Sequence, residues 1–154
     1  MKMKENTNKI TPCIWFAADG GKLNKVLEYY QNVFDENFHA NAIIPLGETP
    51  SGYAEMCEIQ IFGQSYLLMS TAQEHHPFND AMALMINCEN QEEIDHFWNY
   101  FTQEGQEAPC GWCIDRYGFR WQIIPKNMGE LMSHPNAQQV MMSQTKIIIN
   151  EYFK

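Results

Sequence analysis

The sequence has few positive charges and no long hydrophobic run. Ten Lys and Arg residues stand against nineteen Asp and Glu residues, which gives a formal net charge of −9. That balance repels a phosphate backbone and argues against nucleic acid as a partner. No apolar run approaches the roughly 18 residues needed to cross a bilayer, and "MKMKENTNKI" has no apolar signal core. We therefore expect a cytoplasmic protein that binds neither nucleic acid nor membrane.

The five cysteines form neither a disulfide framework nor a zinc motif. An odd number of thiols, in a chain long enough to fold without cross-links, favours reduced cysteines. Cys110 and Cys113 have Cys-x-x-Cys spacing, but a redox pair of that type sits at a helix N-terminus. A zinc site needs a second pair, and Cys13, Cys57 and Cys88 are isolated. We interpret the pair as small hydrophobic side chains.

A glycine-rich loop that could hold a nucleotide-like cofactor is also missing. The glycines of "AADGGK" (residues 17–22) have the wrong spacing for such a loop. No Ser-His-Asp or Cys-His arrangement can be traced either. The sequence therefore predicts no cofactor and leaves the catalytic residues, if there are any, unknown.

Hydrophobic residues make up 45% of the chain, enough for the core of a single domain spanning residues 1–154. Its first half reads as a βαβββ module over residues 10–74. We expect a strand at 10–17, an amphipathic helix at 22–34, a strand at 37–44, and a hairpin of 53–62 with 64–71 around Gly63.

The second half repeats this order over residues 79–125, after a linker at 75–80. A strand at 81–88 precedes a helix with one aromatic face, and two strands follow at 110–115 and 119–125. Residues 126–154 read as a C-terminal helical segment whose apolar side chains cover the core or a second subunit. The buried face of the second helix comprises Ile94, Phe97, Trp98 and Phe101.

The most informative stretch is "CGWCIDRYGFRWQIIP", residues 110–125. Asp115 suits the first position of a type I turn and Gly118 the left-handed position that follows, which pairs Asp115 with Phe119. A slip of one residue would exchange the two faces of the hairpin. In the predicted register, three pairs of side chains lie on the same face of the hairpin: Ile114 with Arg120, Trp112 with Gln122, and Cys110 with Ile124.

A face that mixes Trp, Arg, Gln and Cys is unusual for a dry core, because a buried unpaired arginine is costly. We interpret it as the wall of a ligand pocket. Arg120 would bind an anionic or carbonyl group, Trp112 would stack on a flat group, and Gln122 would lie beside them. Asp115 could act as an acid, but its turn role accounts for it. Further wall candidates are Trp15 or Phe16 from the first strand and Tyr66 or Met69 from the first hairpin.

The five histidines give no clear catalytic pattern. His75 and His76 are predicted to be solvated in the linker, since neighbouring residues rarely point at one ion. His39 lies in a strand and could face the pocket as a base. His96 is predicted to be exposed on its helix, and His134 lies in a loop.

Five segments make the chain resemble the PhnB-like branch of the vicinal oxygen chelate superfamily. They are "ITPCIWF", "EYYQNVF", "INCENQEEIDHFW", "CGWCIDRYGFRWQIIP" and "KIII", in the same order over nearly the whole chain. This branch sits with the glyoxalase and bleomycin-resistance proteins and often carries the label 3-demethylubiquinone-9 3-methyltransferase. The resemblance implies an α+β fold in which two βαβββ modules form an incomplete barrel around a cavity, and a homodimer.

The resemblance also implies where a metal site would lie. Metal-dependent members hold a divalent ion through His and Glu from both modules, and those positions fall near Pro12, near Met82, near Glu58 and on Gln122. Only Glu58 and Gln122 offer weak donors, whereas a transition metal needs three or four good ligands. We therefore expect a protein that binds an unknown small molecule without a functional metal site. A metal-dependent glyoxalase- or dioxygenase-like enzyme and a purely structural dimer are the alternatives, and no cofactor motif supports a methyltransferase.

Overall fold

The computed structural model describes residues 3–154. The chain divides into two compact units, the first ending at His76 and the second beginning at Pro77. This division lies within the linker segment 75–80. Within residues 3–154, none of the helices is long and apolar enough to span a membrane.

The first unit follows the predicted βαβββ order with one added strand. Its sheet has the order β1-β5-β4-β2, and β3 also pairs with β4. β1 runs parallel to β5, whereas the other pairs are antiparallel. The elements are β1 (Cys13–Phe16), a 3₁₀ turn (Asp19–Gly21), α1 (Asn24–Phe34), a second 3₁₀ turn (Asp35–Asn37), β2 (Phe38–Ala40), β3 (Ile44–Thr49), β4 (Gly52–Ile61) and β5 (Gln64–Thr71).

The predicted single strand at 37–44 is wrong, because the chain forms two strands on the same edge of β4. β2 pairs with the C-terminal end of β4, where Ala40 lies opposite Ile59. β3 pairs with its N-terminal half, where Ile44 lies opposite Met56. The predicted hairpin around Gly63 is confirmed, since all of β5 pairs with β4 from Ala54 to Ile61.

Helix α1 packs on one face of the first sheet. Its apolar residues recur every three or four positions, so they line one side of the helix. Phe16 of β1 is 1% exposed, and its ring centroid lies 6.2 Å from that of Tyr30 on α1. Side chains alternate along a strand, so Trp15 lies on the opposite face, which we call the open face of the sheet.

The second unit has the predicted strand–helix–strands order. Its sheet has the order β6-β9-β8-β7, with β6 parallel to β9. Asn90 caps α2 by accepting a hydrogen bond from the Glu93 N–H at 2.9 Å. The whole predicted apolar face of α2 is buried. The elements are β6 (Leu84–Cys88), α2 (Gln91–Gln103), a short unpredicted β7 (Gln106–Glu107), β8 (Trp112–Ile114) and β9 (Arg120–Pro125).

The C-terminal segment forms α3 (Met128–Leu131), α4 (Ala137–Ser143) and a 3₁₀ turn (Ile149–Phe153). α4 ends at Ser143, because the backbone becomes extended at Gln144. The prediction that this segment covers the core is confirmed. Its apolar side chains bury one cluster: Ile124, Met128, Leu131, Ala137, Ile147 and Tyr152.

Candidate functional site

The hairpin of β8 and β9 has the predicted register. Trp112 lies opposite Gln122, and Ile114 opposite Arg120. The Asp115 N–H donates to the Phe119 carbonyl at 2.9 Å and closes the turn. Cys113, Trp121 and Ile123 are buried on the other face, where the Trp121 ring stacks on Phe101 of α2 at 4.8 Å. Trp112, Arg120 and Gln122 are therefore half-buried together on the open face of this sheet.

The prediction that Cys110 sits beside Ile124 on this face is wrong. Cys110 precedes β8 and has a φ of +60°. Its N–H donates to the carbonyl of Gln144 at 2.9 Å, and the next amide, Gly111, donates to Thr145. The C-terminal segment thus bonds to the backbone that would have extended the strand.

The thiols are free and mostly buried. Burial raises the pKa of Cys113 to about 12, and the nearby Asp115 carboxylate adds to the effect. Burial likewise raises the pKa of Cys57 to about 11 and that of Cys88 to about 12. A redox-active thiol has a lowered pKa instead, so the environment of Cys113 does not suit redox chemistry.

We expect no more than two of the five cysteines to react in the folded protein: the exposed Cys13 and the half-buried Cys110. A pKa raised from 9.0 to about 12 lowers the thiolate fraction about a thousandfold. Iodoacetamide labelling followed by peptide mass spectrometry measures each site, and labelling in denaturant is the control. Labelling of native Cys113 at the rate of Cys13 would contradict the assignment.

Arg120 is held by its own unit. Its Nε donates to Asp80 at 2.8 Å, and its Nη1 donates to the carbonyls of Phe78 and Gly118 at 3.0 and 2.7 Å. The Phe78 ring packs edge-on against Phe119 at 5.3 Å. These bonds stabilise the guanidinium without a ligand and fasten the start of the second unit to the hairpin. The sequence did not predict this role.

Three residues form a row across the open face of the second sheet. Gln122 on β9 lies opposite Trp112 on β8 and opposite Met85 on β6. The Gln122 amide donates to the Cys110 carbonyl at 3.4 Å. We call Met85, Gln122 and Trp112 the second row.

An equivalent row crosses the first sheet. Trp15 on β1 lies opposite Met69 on β5, which lies opposite Met56 on β4, and all three are half-buried. We call them the first row. The two remaining predicted wall residues lie on the α1 side: Phe16 is in the core, and Tyr66 pairs with Ile59.

Trp15 is fixed in place and partly covered. Its indole N–H donates to the Thr71 hydroxyl at 2.9 Å. The His75 ring lies against it, with 4.3 Å between ring centroids. The prediction that His75 is a solvated loop side chain is therefore wrong. No local pattern signals this contact, because it joins residues far apart in the sequence.

A metal site is poorly supported by the donor atoms of the first sheet. Glu58 lies opposite Leu67 of β5 and two residues from Met56 along β4, so its side chain is also on the open face. Across residues 3–154, no three His, Cys, Asp or Glu side chains come together in a way that could hold a metal ion. The residues do not fit the divalent ion that the superfamily implies, so we derive no reaction step through one.

A separate open cavity of about 730 Å³ lies in the first unit. His39 contributes to its wall, but none of the predicted ligand-binding residues does. The buried amide of Gln60 donates to the Lys4 carbonyl at 2.7 Å and so holds the N-terminal segment at its rim. The cavity is lined by Lys4, Glu36, Asn37, His39, Gln60, Phe62 and Gly63.

Two further residues that the sequence singled out have structural roles. Asp115 is 2% exposed and accepts hydrogen bonds from the Tyr117 and Phe119 N–H groups and from the Trp121 indole. Its predicted turn role is confirmed. In "AADGGK", a Cβ on Gly21 would lie 2.1 Å from the Tyr53 carbonyl oxygen, so close backbone packing accounts for that glycine.

These two sheets, each with a helix packed on one face, define a protein of the glyoxalase/bleomycin-resistance fold in the vicinal oxygen chelate superfamily. The family model described as 3-demethylubiquinone-9 3-methyltransferase matches residues 8–124. The chain belongs to this family. A comparison with curated protein sequences finds no match.

Solved structures agree with this assignment. A putative 3-demethylubiquinone-9 3-methyltransferase, PhnB protein, from Bacillus cereus is 25% identical; the match covers 76% of this chain and 99% of that one with a TM-score of 0.64. A Pseudomonas aeruginosa protein is 16% identical, with coverage of 77% and 98% and a TM-score of 0.53. The fosfomycin resistance protein FosX from Listeria monocytogenes is 16% identical, with coverage of 83% and 98% and a TM-score of 0.52. The last two share the fold alone.

Proposed function

We propose that this protein binds a small organic molecule on the open faces of its sheets and needs no metal ion to do so. The observation that carries the proposal is the first row, Trp15, Met69 and Met56. These large apolar side chains stay half-buried, whereas their strand neighbours Phe16, Leu68 and Cys57 are at most 1% exposed. The second row repeats the arrangement at equivalent strand positions, with Trp112 and Gln122.

The chemistry of the rows favours a ligand with a flat apolar part. Tryptophan offers a large rigid surface for stacking, and methionine adapts its shape to different contacts. Gln122 adds an amide that both donates and accepts hydrogen bonds. The name of FosX, a fosfomycin resistance protein, supports a small-molecule role for the fold. Arg120 remains a predicted anion contact, in competition with Asp80.

Binding through the rows predicts the effect of two substitutions. Trp15→Leu should weaken a fragment bound at the first row about tenfold, and Trp112→Leu should do the same for a fragment bound at the second row, since each removes a stacking surface. The probes are a library of monocyclic aromatic fragments, screened by ligand-observed NMR and followed by titration. Phe153→Leu is the matched control, because that aromatic ring is 61% exposed and lies outside both rows. If a tryptophan variant binds every fragment as tightly as the unaltered protein does, the row that holds that tryptophan is not a binding surface.

Metal independence is measured on the same protein purified without a histidine tag. We expect less than about 0.1 ion per chain by plasma mass spectrometry, before and after incubation with zinc, nickel or manganese, since Glu58 and Gln122 alone do not complete a site. Fragment affinity should not change in EDTA. Stoichiometric metal, or loss of binding in EDTA, would favour the metal-dependent enzyme instead.

We also propose that the protein is cytoplasmic and forms a homodimer. The cysteines are free, which supports a reducing compartment such as the cytoplasm. We expect a homodimer, as the family resemblance implies. Sedimentation equilibrium gives the mass directly, and a monomer at all protein concentrations would contradict this part alone.

A further inference from the structure

We propose that His75 flanks a ligand bound at Trp15 and accepts a hydrogen bond from it through Nε2. The site would then select flat molecules that carry a hydroxyl or N–H donor. This inference rests on the proposed function, because it assigns a contact residue and a ligand class to the open face of the first sheet.

His75 is held against the indole by the chain that follows β5. The two rings are tilted by 36°. Trp15 is fixed by the hydroxyl of Thr71, and this hydroxyl donates to the Gln73 carbonyl at 3.1 Å. The segment that carries His75 is thus tied to the same atom that orients Trp15.

The hydrogen bonds of His75 determine which ring nitrogen carries the proton. Nδ1 lies 2.8 Å from the carbonyl oxygen of His76. A carbonyl oxygen only accepts, so Nδ1 must be the donor. In the neutral ring Nε2 therefore has a free lone pair and acts as an acceptor.

Nε2 is buried and has no hydrogen-bond partner among residues 3–154. A buried acceptor without a donor is unfavourable, and a donor from a bound molecule would relieve that cost. The Trp15 N–H is already bonded to Thr71, so the indole offers ring surface to a ligand. Glu58 lies on the same open face two residues along β4 from Met56, which disfavours a ligand carboxylate there. A phenol-like group fits these constraints.

The first test needs no ligand. Long-range nitrogen–proton NMR of histidine-labelled protein at alkaline pH reports which ring nitrogen of His75 is protonated, and a His75→Gln variant assigns the signals. We expect the proton on Nδ1. A proton on Nε2 would overturn the inference, because Nε2 could not then accept a hydrogen bond.

The second test compares phenol with anisole, which differ only by methylation of the hydroxyl. We expect phenol to bind about fivefold more tightly, the effect of one net hydrogen bond, and to shift the His75 Nε2 resonance. His75→Phe keeps a ring against Trp15 and should lose the preference while retaining affinity for anisole. His75→Gln restores an acceptor and should retain the preference, as should the control His76→Phe.

The outcomes separate this inference from the proposed function. Equal binding of the two probes, binding of neither, or a preference that survives His75→Phe would each overturn the role of His75. Trp15→Leu reports on the row itself. If it weakens both probes while His75→Phe changes nothing, the open face binds ligands and the inference alone fails. If it changes neither affinity, the proposed face fails as well.

Discussion

Replacing Asp115 with alanine is expected to destabilise the protein by about 3–5 kcal/mol, measured by urea unfolding with circular dichroism. The buried carboxylate accepts two backbone N–H groups in the turn, from Tyr117 at 2.9 Å and Phe119 at 3.1 Å. It also accepts the Trp121 indole N–H at 2.8 Å. The substitution leaves these donors without their acceptor beside the core.

A double-mutant cycle with Trp121 tests the cause of that loss. Asp115→Asn keeps an oxygen for the backbone amides but turns an amide group toward the indole N–H, at a cost of about 2–3 kcal/mol. In a Trp121→Phe background the same change should cost less, with a coupling of about 1–2 kcal/mol. Arg116→Ala, in the same turn but on the surface, should change stability by less than about 0.5 kcal/mol. A coupling energy of zero would show that the hydrogen bond from the Trp121 indole does not contribute to stability.

Gly21→Ala is the second change for which we expect a large loss, about 3–5 kcal/mol. The new Cβ would lie 2.1 Å from the Tyr53 carbonyl oxygen and 2.9 Å from the Ala72 nitrogen. These two backbone atoms are bonded to each other at 2.8 Å, so neither can move without breaking a hydrogen bond. Overpacking then adds to the cost of a left-handed alanine at a φ of +92°.

The neighbouring glycine is a matched control for this effect. Gly20 also has a positive φ of +64°, but a Cβ there would meet nothing within 4 Å. Gly20→Ala should therefore cost only about 1–2 kcal/mol, the conformational part alone. Thermal or urea unfolding of the two variants gives the difference. Equal losses would mean that the contact with Tyr53 is relieved by a small backbone shift.

The parts of the fold that could be predicted from the sequence are those with local causes. The apolar face of α2 follows from helical spacing, and the register of β8 and β9 follows from the turn residues Asp115 and Gly118. The division of β2 from β3 could not be predicted in the same way. It depends on how both strands share the edge of β4, which lies later in the chain.

In the candidate site, too, only the features with local causes could be predicted. Strand alternation predicted that Trp112 and Gln122 share a face, and the pairing confirms it. The contact between His75 and Trp15 and the bonds from Arg120 to Phe78 and Asp80 were missed. Each joins residues distant in sequence, so neither periodicity nor turn chemistry carries a signal for it.

The parallel pairing of β1 with β5 has a consequence for the order of folding. Cys13 pairs with Leu67 across 54 residues, whereas the β4–β5 hairpin closes between Ile61 and Gln64. Closing the longer loop costs about 2.5 kcal/mol more in chain entropy, so the hairpin should form first and β1 should dock late. Trp15 lies on that late strand. The indole surface proposed to bind a ligand therefore comes into existence only at the end of folding, and a ligand there would slow unfolding more than it speeds folding.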